Sequence, residues 1–467
     1  MLFNSIEYIF FLPIVFTIYW LLKENLKLQN AFVVIASYVF YGWWDWRFLI
    51  LIAITSFCSW GSGLLIQQSA ISNQSSVKSK AWLIANIVLN LGILATFKYY
   101  DFFVLEFGAL FGISTGSLLL RIILPVGISF YTFQALSYSI DVYRGKIEPT
   151  KDIIAFFAFI SFFPQLVAGP IERATNLLPQ FRQKRKFNYE QGVDGMRQVL
   201  WGLFKKIVVA DNCAMYVDQV WANYDTQSGS TLLLAAILFT FQIYGDFSGY
   251  SDIAIGTAKL FGIKLLRNFN NPYFSRDIAE FWRRWHISLT SWLRDYVYIP
   301  LGGSRQSLLR TIFNTLIIFL ICGLWHGANW TYLVWGLYNV ILFLPLILLG
   351  KSKRYKDAPL VWKQLPQMLI TFVLVTIGWI IFRAPSLPDA WGYVCALTNL
   401  SGGSPAIPIT QWIGIVLGIV AMIAFEWVGR NSEQTPIPHK WWVYYVLVAA
   451  IWWYAPSFDT DFIYFQF

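Results

Sequence analysis

Residues 308–349 read LLRTIFNTLIIFLICGLWHGANWTYLVWGLYNVILFLPLILL, two apolar runs joined by a polar turn at residues 323–330. Each run approaches the roughly 20 residues with which a helix crosses hydrocarbon. The turn contains two glycines and one asparagine, which favour backbone that is not helical. Because Arg310 and Lys351 make both flanks basic, the chain is expected to cross the membrane and return, with residues 325–329 at the tip of the hairpin.

The composition of the whole chain is typical of a polytopic membrane protein. Of its 467 residues, 57% are hydrophobic and 13% are charged, whereas soluble domains carry about 25% charged residues. The apolar segments lack the period-two alternation of strands, so they predict an all-α bundle of transmembrane helices. Besides the hairpin, the segments of near-spanning length are residues 6–22, 81–97, 231–255, 365–382, 412–427 and 441–453.

The first apolar segment is expected to be a retained span rather than a signal peptide. It has neither a basic leader nor a small-residue cleavage site. No long polar linker divides the chain, which favours a single membrane-embedded domain over residues 1–467.

The net charge of +10 is concentrated in clusters at residues 173–206, 264–310 and 351–363. Basic loops stay on the cytoplasmic side, whereas residues 223–230 and 384–411 contain no Lys or Arg and are expected outside. The clusters could bind an anionic cytoplasmic ligand such as coenzyme A, although membrane topology alone also explains them. Because the charge follows the membrane loops, we expect no binding of nucleic acid.

Two further segments predict helices that do not cross the membrane. Residues 153–168 are apolar, have basic flanks and contain Pro164, so we expect a re-entrant hairpin there. Asp277 and Glu280 have the spacing of a helix N-cap and its N3 partner. From there to residue 298, large apolar residues recur every three or four positions, which predicts one helix at the cytoplasmic interface or under the bundle. They are Trp282, Trp285, Leu289, Trp292 and Tyr296.

Histidines are the best candidates for proton chemistry, and the chain has three, the last being His439. His326 lies in the turn between the two apolar runs, where an ionisable group is costly and therefore suggests a function. A buried neutral imidazole can take a proton from an attacking hydroxyl and return it to a leaving group. His286 could orient the first histidine or a thioester carbonyl. The structural alternatives are a histidine bonded to a carbonyl at a helix break for His326, and an amphipathic anchor for His286.

Two carboxylates, Asp246 and Asp252, interrupt a long apolar run on either side of Ser248. Such groups line ion or proton paths, or they form buried pairs satisfied by Ser, Tyr or Arg of neighbouring helices. The sequence contains no nucleotide-binding glycine loop, no zinc-ligand spacing and no G-x-S-x-G serine motif. ATPase, redox and hydrolase functions therefore lose support.

Several stretches resemble the membrane-bound O-acyltransferase family, in the branch that contains the bacterial alginate O-acetylation proteins. They are residues 125–134 (PVGISFYTFQ), 162–172 (FFPQLVAGPIE), 246–252 (DFSGYSD), 268–305, 324–330 (LWHGANW) and 462–467 (FIYFQF). The resemblance covers most of the chain. It places His326 at the signature histidine of the family and His286 at the second histidine of the branch.

The resemblance implies a bundle with a central tunnel that contains the two histidines, His326 as general base and His286 as the group that orients the donor. The implied donor is cytoplasmic acetyl-CoA at a bacterial inner membrane, with no bound cofactor and no metal. The acetyl group would reach an exported, alginate-like polysaccharide directly or through a periplasmic SGNH-type acyltransferase partner. Other candidates for substrate contact or tunnel lining are Trp325, Asn329, Asp246, Ser248, Asp252, Arg283 and Arg284.

Several alternatives stay open at this point. A relative that takes D-alanyl groups from a carrier protein would share fold and histidines, and so would a lipid or protein acyltransferase. A transporter or flippase would use the carboxylates as its coupling path. Within the acyltransferase hypothesis, a covalent acyl-histidine is the alternative to general-base catalysis.

Overall fold

The computed structural model describes residues 1–71, 76–167, 169–356, 358–430, 435–455 and 462–463. Across these residues the regular secondary structure is helical, apart from one isolated β-bridge between Gln227 and Gly403. They form two compact units, one of residues 1–196 with 254–266 and one of the remaining described residues. The all-α fold class is confirmed, and the assignment of one domain to the whole chain stays a prediction.

The first unit is held together by helices that share polar side chains. It contains α1 (Ile6–Leu21), α2 (Leu26–Asp45), α3 (Leu49–Ile71), α4 (Ser76–Lys98), α5 (Tyr100–Phe111), α6 (Ile128–Tyr143), α7 (Ile153–Ser161), α8 (Phe163–Leu166), α9 (Ala174–Phe181) and the start of α10 (Tyr189–Leu203). Between α3, α4 and α6, the Asn86 amide donates to Ser139 Oγ over 2.7 Å and its oxygen accepts from Ser59 Oγ over 3.1 Å. Such bonds join helices where lipid provides no hydrophobic drive for association.

The segment at residues 153–168 is broken, as its proline and its basic flanks predict. α7 ends at Ser161, the next residue Phe162 has a non-helical ψ of 108°, and α8 begins at Phe163. The 9 residues of α7 span only about 14 Å, less than half of a hydrocarbon core. Ala168 lies outside the described residues, and the re-entrant placement of the segment in a membrane stays a prediction.

The second unit contains the end of α10, α11 (Asp211–Ala222), most of α12 (Gly229–Leu260), α13 (Ile278–Arg284), α14 (Ile287–Leu293), α15 (Leu308–His326), α16 (Trp330–Leu348), α17 (Leu365–Arg383), α18 (Leu387–Ala396), α19 (Ile409–Val428) and α20 (Trp441–Tyr454). Two π-helical turns, Phe204–Ala210 and Arg294–Tyr298, continue α10 and α14. Short 3₁₀ turns lie at Trp46–Phe48 in the first unit and at Tyr224–Thr226, Pro272–Phe274 and Trp362–Gln364 in the second.

Seven helical stretches of the described chain are long and apolar enough to cross a membrane. They are Leu26–Ala70, Val77–Lys98, Gly229–Leu260, Leu308–His326, Trp330–Leu348, Trp362–Arg383 and Ile409–Val428. The predicted spans at residues 6–22 and 441–453 are shorter helices, α1 with 16 residues and α20 with 14. The chain is therefore a multi-pass membrane protein, as its composition predicts.

The hairpin expected at residues 308–349 is present as α15 followed by α16. α15 continues through His326, so the tip consists of residues 327–329 alone and is shorter than the sequence suggests. Asn329 begins the return helix, because its side-chain oxygen accepts the Thr331 backbone N–H over 3.0 Å.

The single helix expected from Asp277 to residue 298 is wrong. The chain forms α13 and α14, separated at Trp285 and His286, and His286 has a left-handed φ of 44°. The predicted start is confirmed, since the Asp277 carboxylate accepts the Glu280 backbone N–H over 2.7 Å. The large apolar residues of this segment are all buried, which agrees with packing against other helices of the unit.

The two loops without Lys or Arg lie side by side. The Ser228 N–H donates to the Gly403 carbonyl over 3.1 Å, and the Gly229 N–H donates to the Asn399 carbonyl over 2.8 Å. Two loops on one side of a membrane must be able to meet in this way. The side on which they lie stays a prediction.

Buried charges in the second unit are paired across its helices. Lys206 Nζ lies 2.8 Å from Asp211 Oδ1 and 3.0 Å from Asp246 Oδ1. The preceding Lys205 pairs with Asp252, the other carboxylate of α12. Both lysines belong to the π-helical turn that follows α10. The arrangement matches the structural alternative for the two carboxylates, a pair satisfied by neighbouring helices, with lysine in place of the expected partners.

The hairpin of α15 and α16 should not tolerate a side chain at its crossing point. A Cβ at Gly336 would lie 2.5 Å from the Phe319 carbonyl oxygen, whereas a Cβ at Gly92 in α4 would meet nothing within 4 Å. We expect Gly336→Ala to destabilise the detergent-purified protein by about 1–3 kcal/mol, because the backbones must separate. Gly92→Ala is the control, and helix propensity should make it neutral or stabilising by up to ~1 kcal/mol. Equal melting temperatures for the two variants would contradict this packing.

Removal of a buried lysine should be costly because it leaves carboxylates without a counter-charge. We expect Lys206→Met to destabilise the protein by about 3–5 kcal/mol, as for other buried pairs that lose one partner. Lys259→Met is the control, since the Lys259–Asp194 pair is partly exposed and should contribute about 1 kcal/mol or less. Denaturation in detergent measures the free energy of unfolding of both variants. A Lys206 variant as stable as the Lys259 control would show that the ion pairs of Lys206 do not stabilise the protein.

Candidate active site

His286 occupies a break between two helices, and a neighbouring loop satisfies the broken backbone. The Asn270 N–H donates to the Arg284 carbonyl over 2.9 Å, and the Ile287 N–H donates to the Asn268 carbonyl over 2.8 Å. Backbone groups freed by a helix break must find partners when they are buried. Residues 268–270 therefore hold α13 and α14 at the angle that places the His286 ring.

The His286 imidazole is buried, with 1% of the residue exposed, and its two nitrogens differ. Nδ1 lies 3.0 Å from Asn268 Oδ1, which also accepts from Ser288 Oγ over 2.9 Å. Nε2 has no hydrogen-bond partner among the described residues. Burial lowers the pKa of His286 to about 3, so the ring is neutral at physiological pH.

His326 is the last residue of α15 and lies in an aromatic cage. Its ring centroid is 4.9 Å from that of Trp325, 5.3 Å from Trp335 and 5.0 Å from Phe382, each in an edge-to-face arrangement. The residue is 4% exposed. Helix α15 supplies the histidine, while α16 and α17 supply the walls that fix its orientation.

Trp325 joins the two histidines into one site. Its ring centroid lies 5.5 Å from that of His286 and 4.9 Å from that of His326. Both contacts are edge-to-face, which is a favourable geometry for aromatic pairs. The structure thus brings together the three residues at the centre of the sequence-based hypothesis, although they come from two separate segments.

Further aromatic rings connect this site to a cavity of about 570 Å³. Trp285 contacts Trp379 with ring centroids 5.0 Å apart and Tyr273 with ring centroids 6.1 Å apart. Tyr273 lines the cavity, which lies mainly between α17 and α19 and is mostly apolar. No histidine lines it, so the cavity adjoins the site through these rings rather than containing it.

The two arginines predicted to line a tunnel bind other parts of the protein. Arg283 donates to the Ser352 carbonyl over 2.8 Å. Arg284 forms an ion pair with Glu280 of the same helix over 2.9 Å and donates to the Asn270 carbonyl over 3.1 Å. Both therefore fasten α13 to its surroundings, and any contact with substrate stays a prediction.

The remaining candidates are Asn329, Asp246, Asp252 and Ser248. Asn329 caps α16 and donates to the Pro385 carbonyl over 2.9 Å. Asp246 and Asp252 are in the lysine pairs described above. Ser248 Oγ is buried and has no hydrogen-bond partner within the described chain. Their roles as lining residues stay predictions.

The basic loop after α16 is attached to the start of α13. Arg276 forms a buried ion pair with Glu280 over 2.8 Å and donates to the carbonyls of Ala358 and Pro359, each over 2.9 Å. Its guanidinium also lies 4.2 Å from the centre of the Tyr355 ring. Two loops therefore flank the site. The basic loop, residues 351–363, lies at α13, and the loop without Lys or Arg, residues 384–411, lies at the hairpin tip.

Sequence reasoning missed Asn268, which makes the direct hydrogen bond to His286. The residue lies 18 positions before the histidine in a connecting loop, and no helical or strand period links the two. The one available signal was the concentration of uncharged polar residues in the loop, with asparagines at 268, 270 and 271.

Comparison with known proteins gives consistent relatives. Residues 147–383, which contain both histidines, match the membrane-bound O-acyltransferase family. The "Probable alginate O-acetylase AlgI" of Pseudomonas aeruginosa is 42% identical over 84% of this chain and 74% of that protein. A "Peptidoglycan O-acetyltransferase" of Helicobacter pylori is 35% identical over 86% of this chain and 81% of its own length.

A more distant relative is a "Teichoic acid D-alanyltransferase" of Bacillus subtilis, 27% identical over 55% of this chain and 68% of that protein. The O-acetylating relatives thus cover much more of the chain than this one does. The helical fold with seven candidate spans, the two buried histidines and the length of these matches lead to one conclusion. The chain belongs to the membrane-bound O-acyltransferase family.

Proposed function

We propose that this protein is an O-acetyltransferase that takes acetyl groups from cytoplasmic acetyl-CoA and passes them toward an exported, alginate-like polysaccharide. The polysaccharide receives the group directly or through a periplasmic acyltransferase partner of the SGNH type. The names of the relatives support transfer of acyl groups to envelope polysaccharides. The bacterial inner membrane is the location that such a reaction requires.

One observation supports the site more than any other: the two buried imidazoles flank a single indole between the basic loop and the Lys- and Arg-free loop. On one side, α13 is fastened to the basic loop through Arg276. On the other, Asn329 fastens the hairpin tip to Pro385. A donor from the basic side and an acceptor from the opposite side would meet at the histidines.

The reaction needs one proton acceptor and no further energy source. The acceptor hydroxyl oxygen attacks the thioester carbonyl carbon, a C–O bond forms and the C–S bond breaks. His326 takes the hydroxyl proton and returns it to the coenzyme A thiolate, which leaves as the thiol. Because a thioester is already activated, neither a metal nor nucleotide hydrolysis enters this scheme.

His286 would hold the donor in place. Its neutral ring presents an Nε2 lone pair, which can accept a hydrogen bond from an amide N–H of the pantetheine arm. Acetyl-CoA also carries phosphates, and the basic loop offers Lys351, Lys353, Arg354 and Lys356 for them. Orientation of this kind lowers the entropic part of the barrier.

The transporter alternative receives less support. Its coupling path would need carboxylates that can take up and release protons. Asp246 and Asp252 are each held in an ion pair with a lysine. A D-alanyl donor could react by the same chemistry. The D-alanyltransferase relative, however, matches a smaller share of this chain than the O-acetylating relatives do.

Replacement of the proposed base should abolish most transfer. In membrane vesicles from a deletion strain that expresses His326→Ala, labelled acetyl-CoA at the cytoplasmic face should label exported polysaccharide about 10²- to 10⁴-fold more slowly. His439→Ala is the matched control, since that histidine is exposed and bonds to Arg197. Its rate should equal that of the wild type.

The outcomes separate the parts of the proposal. Wild-type labelling by the His326 variant would refute the general-base role. If the wild type labels polysaccharide from a D-alanyl carrier protein but not from acetyl-CoA, the proposed donor is wrong. If polymer crosses the membrane without cleavage of the thioester, the protein is a transporter.

A further inference from the structure

We infer that Asn268 is a positioning residue that fixes the Nδ1–H tautomer of His286 and thereby presents Nε2 as a hydrogen-bond acceptor to the substrate. The inference deepens the proposed function and rests on His286 facing the donor or acceptor. It concerns a residue that the sequence-based site did not contain.

The hydrogen bonds around Asn268 determine which atom of its amide faces the histidine. Oδ1 lies 3.4 Å from the Ser288 backbone nitrogen, a group that can only donate. The Ser288 hydroxyl donates to the same oxygen over 2.9 Å. On the opposite side, Asn268 Nδ2 donates to Ser251 Oγ over 3.1 Å. The atom that faces His286 Nδ1 is therefore the carbonyl oxygen.

An amide oxygen accepts hydrogen bonds and cannot donate them. The contact of 3.0 Å therefore requires that His286 Nδ1 carries the proton. A neutral imidazole has one N–H, so Nε2 is left with its lone pair exposed to a partner. The amide selects the tautomer as do the hydrogen-bond acceptors that hold the far nitrogen of histidines at metal sites and in catalytic triads.

The surroundings of the ring keep it neutral. Its aromatic neighbours are Phe247 at 4.7 Å and Trp325 at 5.5 Å between ring centroids, with Phe269 at 6.4 Å. None of them carries a charge. Charged groups on the neighbouring helices are paired with one another: on α12 Asp246 with Lys206, and on α13 Arg284 with Glu280.

The feature that points to a ligand is His286 Nε2, which has no hydrogen-bond partner in the described part of the chain. A buried acceptor without a partner is unfavourable, and few remain in native proteins without a reason. A donor group of the substrate, either a pantetheine amide or the acceptor hydroxyl, would complete its hydrogen bonding. The left-handed backbone of His286, which only a surrounding network can sustain, is fixed by the same loop that carries Asn268.

The first test uses the vesicle assay with full-length variants. Asn268→Ala should lower the transfer rate constant about 10- to 100-fold, the usual effect of losing the hydrogen-bond partner that orients a functional histidine. The control is Asn314→Ala, another fully buried asparagine, which bonds to the carbonyls of Leu301 and Gly303 away from the histidines. It should leave the rate within about 3-fold of the wild type at equal protein level, because it has no contact with the site.

The conservative variant distinguishes positioning from simple packing. Asn268→Asp keeps an oxygen opposite Nδ1, so it should recover most of the activity lost in Asn268→Ala. Its negative charge favours the imidazolium, so the acidic limb of the pH–rate profile should move to higher pH. An aspartate variant as inactive as the alanine variant, with an unshifted profile, would refute the positioning role.

The second test does not depend on any donor. With only three histidines, ¹⁵N-histidine labelling of the purified protein, with the His286 signals assigned by a His286→Gln variant, reports the tautomer directly. We expect a protonated Nδ1 and a bare Nε2 in the wild type, and a mixture of tautomers in Asn268→Ala. A protonated Nε2 in the wild type would overturn the inference even if acetyl transfer is observed. The expected tautomer without transfer from acetyl-CoA would instead count against the proposed donor.

Discussion

The site depends on one constraint, that a helix can be interrupted inside an apolar protein only if its freed backbone groups find partners. The interruption at Trp285 and His286 meets this requirement through residues 268–270, which supply backbone bonds on both sides of the break. Without them, α13 and α14 would gain by merging into one helix. The histidine ring would then turn away from Trp325. The loop is therefore as much part of the site as the helices.

Charged groups of the second unit likewise find partners inside the protein. Two consecutive lysines form ion pairs with three carboxylates, and Arg276 and Arg284 share Glu280. The two histidines, by contrast, pack against aromatic rings, His286 against Phe247 and His326 against Phe382.

The structural features that the sequence predicted correctly depend on residues close together in the chain. The hairpin at residues 308–349, the cap at Asp277 and the break near Pro164 each follow from neighbours a few positions apart. The helix from Asp277 to residue 298 was wrong because its apolar period survives the break, so both halves still bury the same kind of side chain. The reason for the break lies in a loop that precedes α13, which no periodicity can connect to His286. For the same reason Asn268 was missed.

The π-helical turn at Phe204–Ala210 restricts insertions and deletions in this part of the chain. A π turn accommodates an extra residue in a helix, and here it allows Lys205 and Lys206 both to reach carboxylates of α12. Deletion of one residue would restore an ordinary helix and rotate everything after it by about 100°. One of the two lysines would then point away from α12, and its aspartate would lose its counter-charge. Functional variants of this chain should therefore keep the length of this turn, without insertions or deletions.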